Sequence, residues 1–137
     1  MMNASKDAYR VLKLELERTP EAPALGRAAI IGLTEDRAFS PGTIATLTLL
    51  VSEIVTNAVV HPQVDPPGRI GFYARLRQGR LRVEVSDPGD GFVPRPRDPS
   101  QPEGGYGLYL LQKEATSWGV ERAPHTTVWF EVAAERA

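Results

Sequence analysis

The chemistry in this chain gathers in three short runs. The first is SEIVTNAVVH, residues 52–61, where Glu53 and Asn57 stand four apart and His61 one turn further on. On a helix that spacing puts an acid and an amide on one face. An acid and an amide so placed can orient a water and hold a hard cation through oxygen. The same pattern also describes a solvated polar stripe on an amphipathic helix. Ile54, Val55, Ala58, Val59 and Val60 leave that stripe little room.

The second run is VEVSDPGDGF, in which Asp87 ends an apolar strand and Gly89 and Gly91 follow. Glycines after a strand let a ligand approach the backbone, and a carboxylate there can accept a hydrogen bond from an exocyclic amine such as that of adenine. Read alone, the run is more simply an Asp-Pro-Gly turn leaving a strand. The third is GGYGLYLL, with Gly104, Gly105 and Gly107 running into a helix. Amides exposed at a helix start, at the positive end of its dipole, suit a phosphate. The spacing is neither that of a dinucleotide fingerprint nor that of a Walker loop. By itself the cluster is equally a hinge.

The elements that must position these runs follow from periodicity. Residues 11–17 alternate with period two and predict a strand. Thr19-Pro20 predicts a helix start, with an amphipathic helix over about 20–35. Ser40-Pro41 predicts a second cap, opening a helix to about His61 whose buried face holds Leu47, Val51, Ile54, Val55, Ala58 and Val59. Pro62 stops it, and VDPPG forms a loop. Residues 69–77 and 80–87 predict a hairpin turning at Gln78-Gly79. The 17 residues 88–104 hold five prolines and three glycines, which no helix or strand survives. A loop of that length in a compact domain is usually functional or disordered. A helix is expected over 106–117, then strands near 118–121 and 127–132. This order predicts an α/β sandwich: a mixed, mostly antiparallel sheet with helices on one face. Apolar residues on both faces of several strands suggest a partner or dimer contact on the other side. Trp118 and Trp129 are expected in the core or an interface.

Composition bounds the function. The chain has 137 residues, net charge −1 and no cysteine. That length suits one domain, spanning 1–137, with one core. The charge gives no field for nucleic acid or an anionic membrane. Lack of cysteine removes disulfides, thiolate metal sites and a cysteine nucleophile. The N-terminal run MMNASKDAYR lacks the apolar stretch of a signal peptide, and apolar runs stop short of the roughly 20 residues of a membrane span. A cytoplasmic protein is expected.

Taken in order, the three runs resemble the GHKL ATPase superfamily, the Bergerat ATP-binding fold, across residues 10–132. SEIVTNAVVH looks like its N box, DPGDGF like its first glycine box and GGYGLYLL like its second. Within the superfamily the chain is most similar to the RsbW-like anti-sigma serine kinases, and GLYLLQKEATSWGV resembles their actinobacterial members. The resemblance implies ATP and Mg²⁺ as cofactors, Glu53 as general base and Asn57 as the Mg²⁺ ligand. It implies Asp87 as the adenine acceptor, supported by Thr126 in the closing strand TTVWFEV. Ala58, His61, Gly89, Gly91, Phe92, Gly104, Gly105, Tyr106, Gly107 and Leu108 would line the nucleotide, under a lid at 92–104.

It further implies a sigma factor and an anti-anti-sigma (STAS-type) antagonist as partners, the latter phosphorylated on serine or threonine, and a homodimer through the sheet face. One position departs from the family. Kinase-competent relatives carry a basic residue just before the second glycine box, where this chain has Glu103. Arg95 and Arg97 in the lid are the substitutes at hand, or are solvated loop charges. Two further readings stand beside the kinase: an ATP-sensing module that sequesters a partner without catalysis, and a stand-alone catalytic domain of the histidine-kinase type.

Overall fold

The computed structural model describes residues 9–35, 39–60, 69–87, 111–121 and 126–133. Within them lie five strands and two long helices: β1 (Tyr9–Leu16), α1 (Ala22–Thr34), α2 (Pro41–Val60), β2 (Ile70–Arg77), β3 (Arg80–Asp87), β4 (Ser117–Glu121) and β5 (Thr126–Ala133). Residues 111–114 are also helical, inside the expected third helix.

The strands form one sheet in the order β1-β2-β3-β5-β4. The mixed, mostly antiparallel sheet expected from the element order is antiparallel at every described pairing. Period two decides the sheet's two faces. Ile70, Phe72, Ala74 and Leu76 of β2, Leu81, Val83 and Val85 of β3, and Val128, Phe130 and Val132 of β5 are buried with Leu47, Leu50, Val51, Ile54 and Val55 of α2. That is the core, and α2 lies at its centre with α1 packed beside it.

The opposite face of β3 and β5 is polar. Arg82 donates to Glu84 Oε2 at 2.6 Å and to Glu131 Oε2 at 3.0 Å, and its guanidinium carbon lies 4.1 Å from the Trp129 ring centroid. Ser86 and Thr127 hydroxyls are 2.9 Å apart across the same pair of strands. Among the described residues, the large apolar side chains exposed on this side are Tyr9 and Val11 of β1.

Three element boundaries follow from local chemistry. Ser40 caps α2 as expected, its Oγ accepting from the Thr43 amide at 3.1 Å. The start of α1 differs from expectation. Thr19 and Pro20 lie in a turn, with the Ala22 amide donating to the Thr19 carbonyl at 3.0 Å, and Pro23 takes the first-turn place. Both Thr-Pro and Glu-Ala-Pro are acceptable helix starts, and the chain uses the later one. The β2–β3 turn is the two-residue hairpin anticipated at Gln78-Gly79, with φ of 51° and 74°. Positive φ at both positions matches the right-handed strand twist, and only Gly79 adopts it without cost.

The apolar stretch of α2 corrects one expectation. Pro41–Val59 is long and apolar enough to cross a membrane by length and composition alone, although Glu53, Asn57 and several Thr and Ser residues interrupt it. Here its buried face is the domain core.

Candidate functional site

The inner face of β3 and β5 is a ladder of paired side chains. Leu81 faces Val132, Val83 faces Phe130 and Val85 faces Val128. The next rung is Asp87 facing Thr126. An apolar ladder therefore ends in a carboxylate and a hydroxyl, both on the core side, with relative exposures of 2% and 1%. Burial without hydrogen-bond partners is costly for such groups. The Asp87 Oδ1 oxygen is met by Arg18, while Oδ2 is fully buried. Thr126 Oγ1 is also buried and has no hydrogen-bond partner among the described residues. A buried hydroxyl in that state calls for an explanation, and a bound group is one.

Helix α2 supplies the other half of the site. Glu53 and Asn57 are both partly exposed, whereas Ala58 is buried at 4%. Their four-residue spacing on a continuous helix puts Glu53 and Asn57 on one side of it, away from the fully buried Val51 and Val55. Partial burial pushes the Glu53 carboxyl above the ordinary carboxylate value, by desolvation. A carboxylate made more basic in this way is better suited to accept a proton.

Arg18 joins the two halves. It lies two residues beyond β1 and has the same parity as Leu12, Leu14 and Leu16, which turn inward. One guanidinium nitrogen donates to the Ala58 carbonyl and another to Asp87 Oδ1. Ala58 is in the last turn of α2, whose carbonyls have no partner within the helix, so a cation there also suits the helix dipole. The end of α2 and the end of β3 are thus within one guanidinium's span. Arg18 is not among the residues the three runs single out. The available signal was a charge continuing the inward column of β1, but its reach depends on the strand order.

Of the residues expected at the site, the described part contains Glu53, Asn57, Ala58, Asp87 and Thr126. His61, Gly89, Gly91, Phe92, Gly104, Gly105, Tyr106, Gly107 and Leu108 lie outside the described residues, as do the 92–104 segment and Arg95, Arg97 and Glu103. Among the described residues no group of three His, Cys, Asp or Glu side chains comes together as a metal centre. Trp118 packs against the core and Trp129 lies on the polar face beneath Arg82.

Comparisons with known proteins agree with this architecture. The family described as histidine kinase-like ATPase domain matches residues 16–131. A serine-protein kinase RsbW of Oceanobacillus iheyensis is 27% identical over 117 residues, covering 76% of this chain and 74% of that protein. The RsbW of Listeria innocua is 34% identical over 82 residues, 59% of this chain and 52% of its own length. The chain thus spans about half of that second relative. A crystal structure of the RsbU and RsbW domains of a Mycobacterium tuberculosis protein superposes with a TM-score of 0.70 at 22% identity, over 93% of this chain and 33% of the other, and shows the same fold.

Proposed function

Since the chain belongs to the histidine kinase-like ATPase domain family, we propose that it binds ATP and acts as an RsbW-type anti-sigma regulator, phosphorylating an antagonist protein on serine or threonine. The observation that carries this reading is the Asp87–Thr126 rung, a buried acceptor and hydroxyl ending an apolar ladder beside the helix that bears Glu53 and Asn57.

The residues fit the nucleotide. Asp87 is an acceptor for the adenine amine, and Thr126 Oγ1 is a buried hydroxyl with capacity to spare, for a ring nitrogen or a bridging water. The apolar neighbours Ala58 and Val85 suit the ring. Mg²⁺, when bound with the nucleotide, offsets the charge of the phosphates. Asn57 offers an amide oxygen to it, and Glu53 accepts the proton of the attacking hydroxyl. The raised Glu53 carboxyl favours that task, because a stronger base takes the proton further. A sigma factor and an anti-anti-sigma protein are the partners in this reading, supported by the RsbW relatives, and such a regulator works in the cytoplasm. The apolar edge at Tyr9 and Val11 on β1 offers a surface for a homodimer.

Binding and transfer separate in one experiment. Radiolabelled Mg²⁺-ATP is incubated with the protein and a cognate STAS-type antagonist. Phosphate is expected on the antagonist, and Glu53→Ala is expected to retain the nucleotide while losing transfer. Asp87→Asn is expected to lose the nucleotide, since the amide turns a donor toward the adenine amine. Nucleotide binding without any phosphate on the antagonist would refute the kinase and leave only sequestration.

A further inference from the structure

The base end of the site contains a group that the ATP reading does not call for. Arg18 is 7% exposed, and its guanidinium donates to the Asp87 Oδ1 oxygen and to the Ala58 carbonyl. Both acceptors belong to residues assigned to the nucleotide. The Asp87 side chain is 2% exposed and Oδ2 has no accessible surface. A ligand therefore reaches this carboxylate only where a protein group now stands, and on Oδ1 that group is Arg18.

Resting on the ATP-site reading, we infer that Arg18 sets the affinity of the base subsite as an internal competitor for Asp87. Its N–H groups do at Oδ1 what the exocyclic amine of adenine would do. They do it as a cation, and charge-assisted hydrogen bonds to a carboxylate are roughly twice as strong as neutral ones. An adenine amine entering this subsite must share Oδ1 with the guanidinium or displace it. Displacement also removes the donor on the Ala58 carbonyl, in the turn of α2 that follows Asn57. The stem of Arg18 lies between the ends of β1, α2 and β3, so the same side chain takes space as well as the acceptor. Nucleotide binding is thereby taxed by the fraction of molecules in which the guanidinium is seated. A residue whose only task was to brace Asp87 would have the opposite effect on affinity when removed.

Titration calorimetry of ADP and of Mg²⁺-ATP with the full chain, Arg18→Met and Arg18→Lys distinguishes the two. Met keeps the unbranched apolar stem and removes the donors. Lys keeps one point charge but cannot fork between Asp87 and Ala58. Arg18→Met is expected to bind ADP about tenfold more tightly than the unaltered chain, an exchange worth one hydrogen bond. Arg18→Lys is expected to fall between them. Circular dichroism establishes that each variant is folded, and if Arg18→Met is not, the Lys variant decides. Unchanged or weaker binding by the folded variants, with the unaltered chain binding nucleotide, overturns the inference about Arg18 alone. No adenine nucleotide bound by any of the three proteins overturns the site reading itself. Binding by a variant but not by the unaltered chain is the strongest form of the expected result.

Discussion

Glu53 is where environment and chemistry meet at the scale of one residue. Its carboxyl sits above the ordinary value of 4.5 because burial disfavours the charged form. Two consequences follow in opposite directions. Phosphoryl transfer that uses Glu53 as base should fall off on acidification at a higher pH than an exposed glutamate would give, and a pH–rate profile measures this. For stability, the folded value lies above the unfolded one, so the group's contribution is fully present below about pH 4.5 and is lost as pH rises through the folded value. Glu53→Gln is therefore expected to be as stable as the unaltered chain or more so at pH 7, the difference closing toward pH 4. Thermal unfolding at the two pH values tests it, and a Gln variant less stable only at pH 7 would contradict it. The effect is small, since water still reaches the group and screens it.

Between strands, the close fit of β4 on β5 depends on one missing side chain. A Cβ at Gly119 would lie 2.8 Å from Trp129 Nε1, closer than any real contact, and Trp129 in turn carries Arg82. Gly119→Ala is expected to push the indole off its strand and cost about 1–3 kcal/mol in a urea titration, as overpacking does. A change within error would mean that the ring simply swings aside. The same contact shows what periodicity reveals and hides. The alternation in RIGFYARLR and RLRVEVSD is legible because one face of each strand meets a core, and so is the Asp87 position, at which the alternation changes from valine to carboxylate. Thr126 was legible only through resemblance to a closing strand; its place opposite Asp87 is a matter of register. Gly119 under Trp129 was not legible, for glycine in a strand has several causes. The start of α1 lies two residues later than its periodicity suggests, because two prolines compete for one first turn. Arg18 escaped because its partner lies 69 positions away, beyond β2 in the sheet.

For the whole molecule, the sheet order places the ends of β1, β3 and α2 together, so a ligand there bridges segments far apart in sequence. Ligand binding to the folded state alone stabilises it by mass action. With Mg²⁺-ATP at a hundred times its dissociation constant, that is about 2.7 kcal/mol, or roughly 5–10 °C in the unfolding midpoint of a domain this size. Differential scanning calorimetry should show such a shift, and none in Asp87→Asn. Equal shifts in both proteins would move the nucleotide away from the β3 end.

The unfinished ladder of β3 and β5 also bears on how this fold would respond to redesign. Selection for thermostability alone would treat Asp87 and Thr126 as a flaw and complete the column with aliphatic residues, replacing Arg18 as well so that no cation is stranded. The resulting protein would keep its sheet, its helices and its cooperative unfolding. On the ATP-site reading it would also no longer bind its nucleotide, because the polarity that a stability screen removes is the polarity that reading assigns to the base.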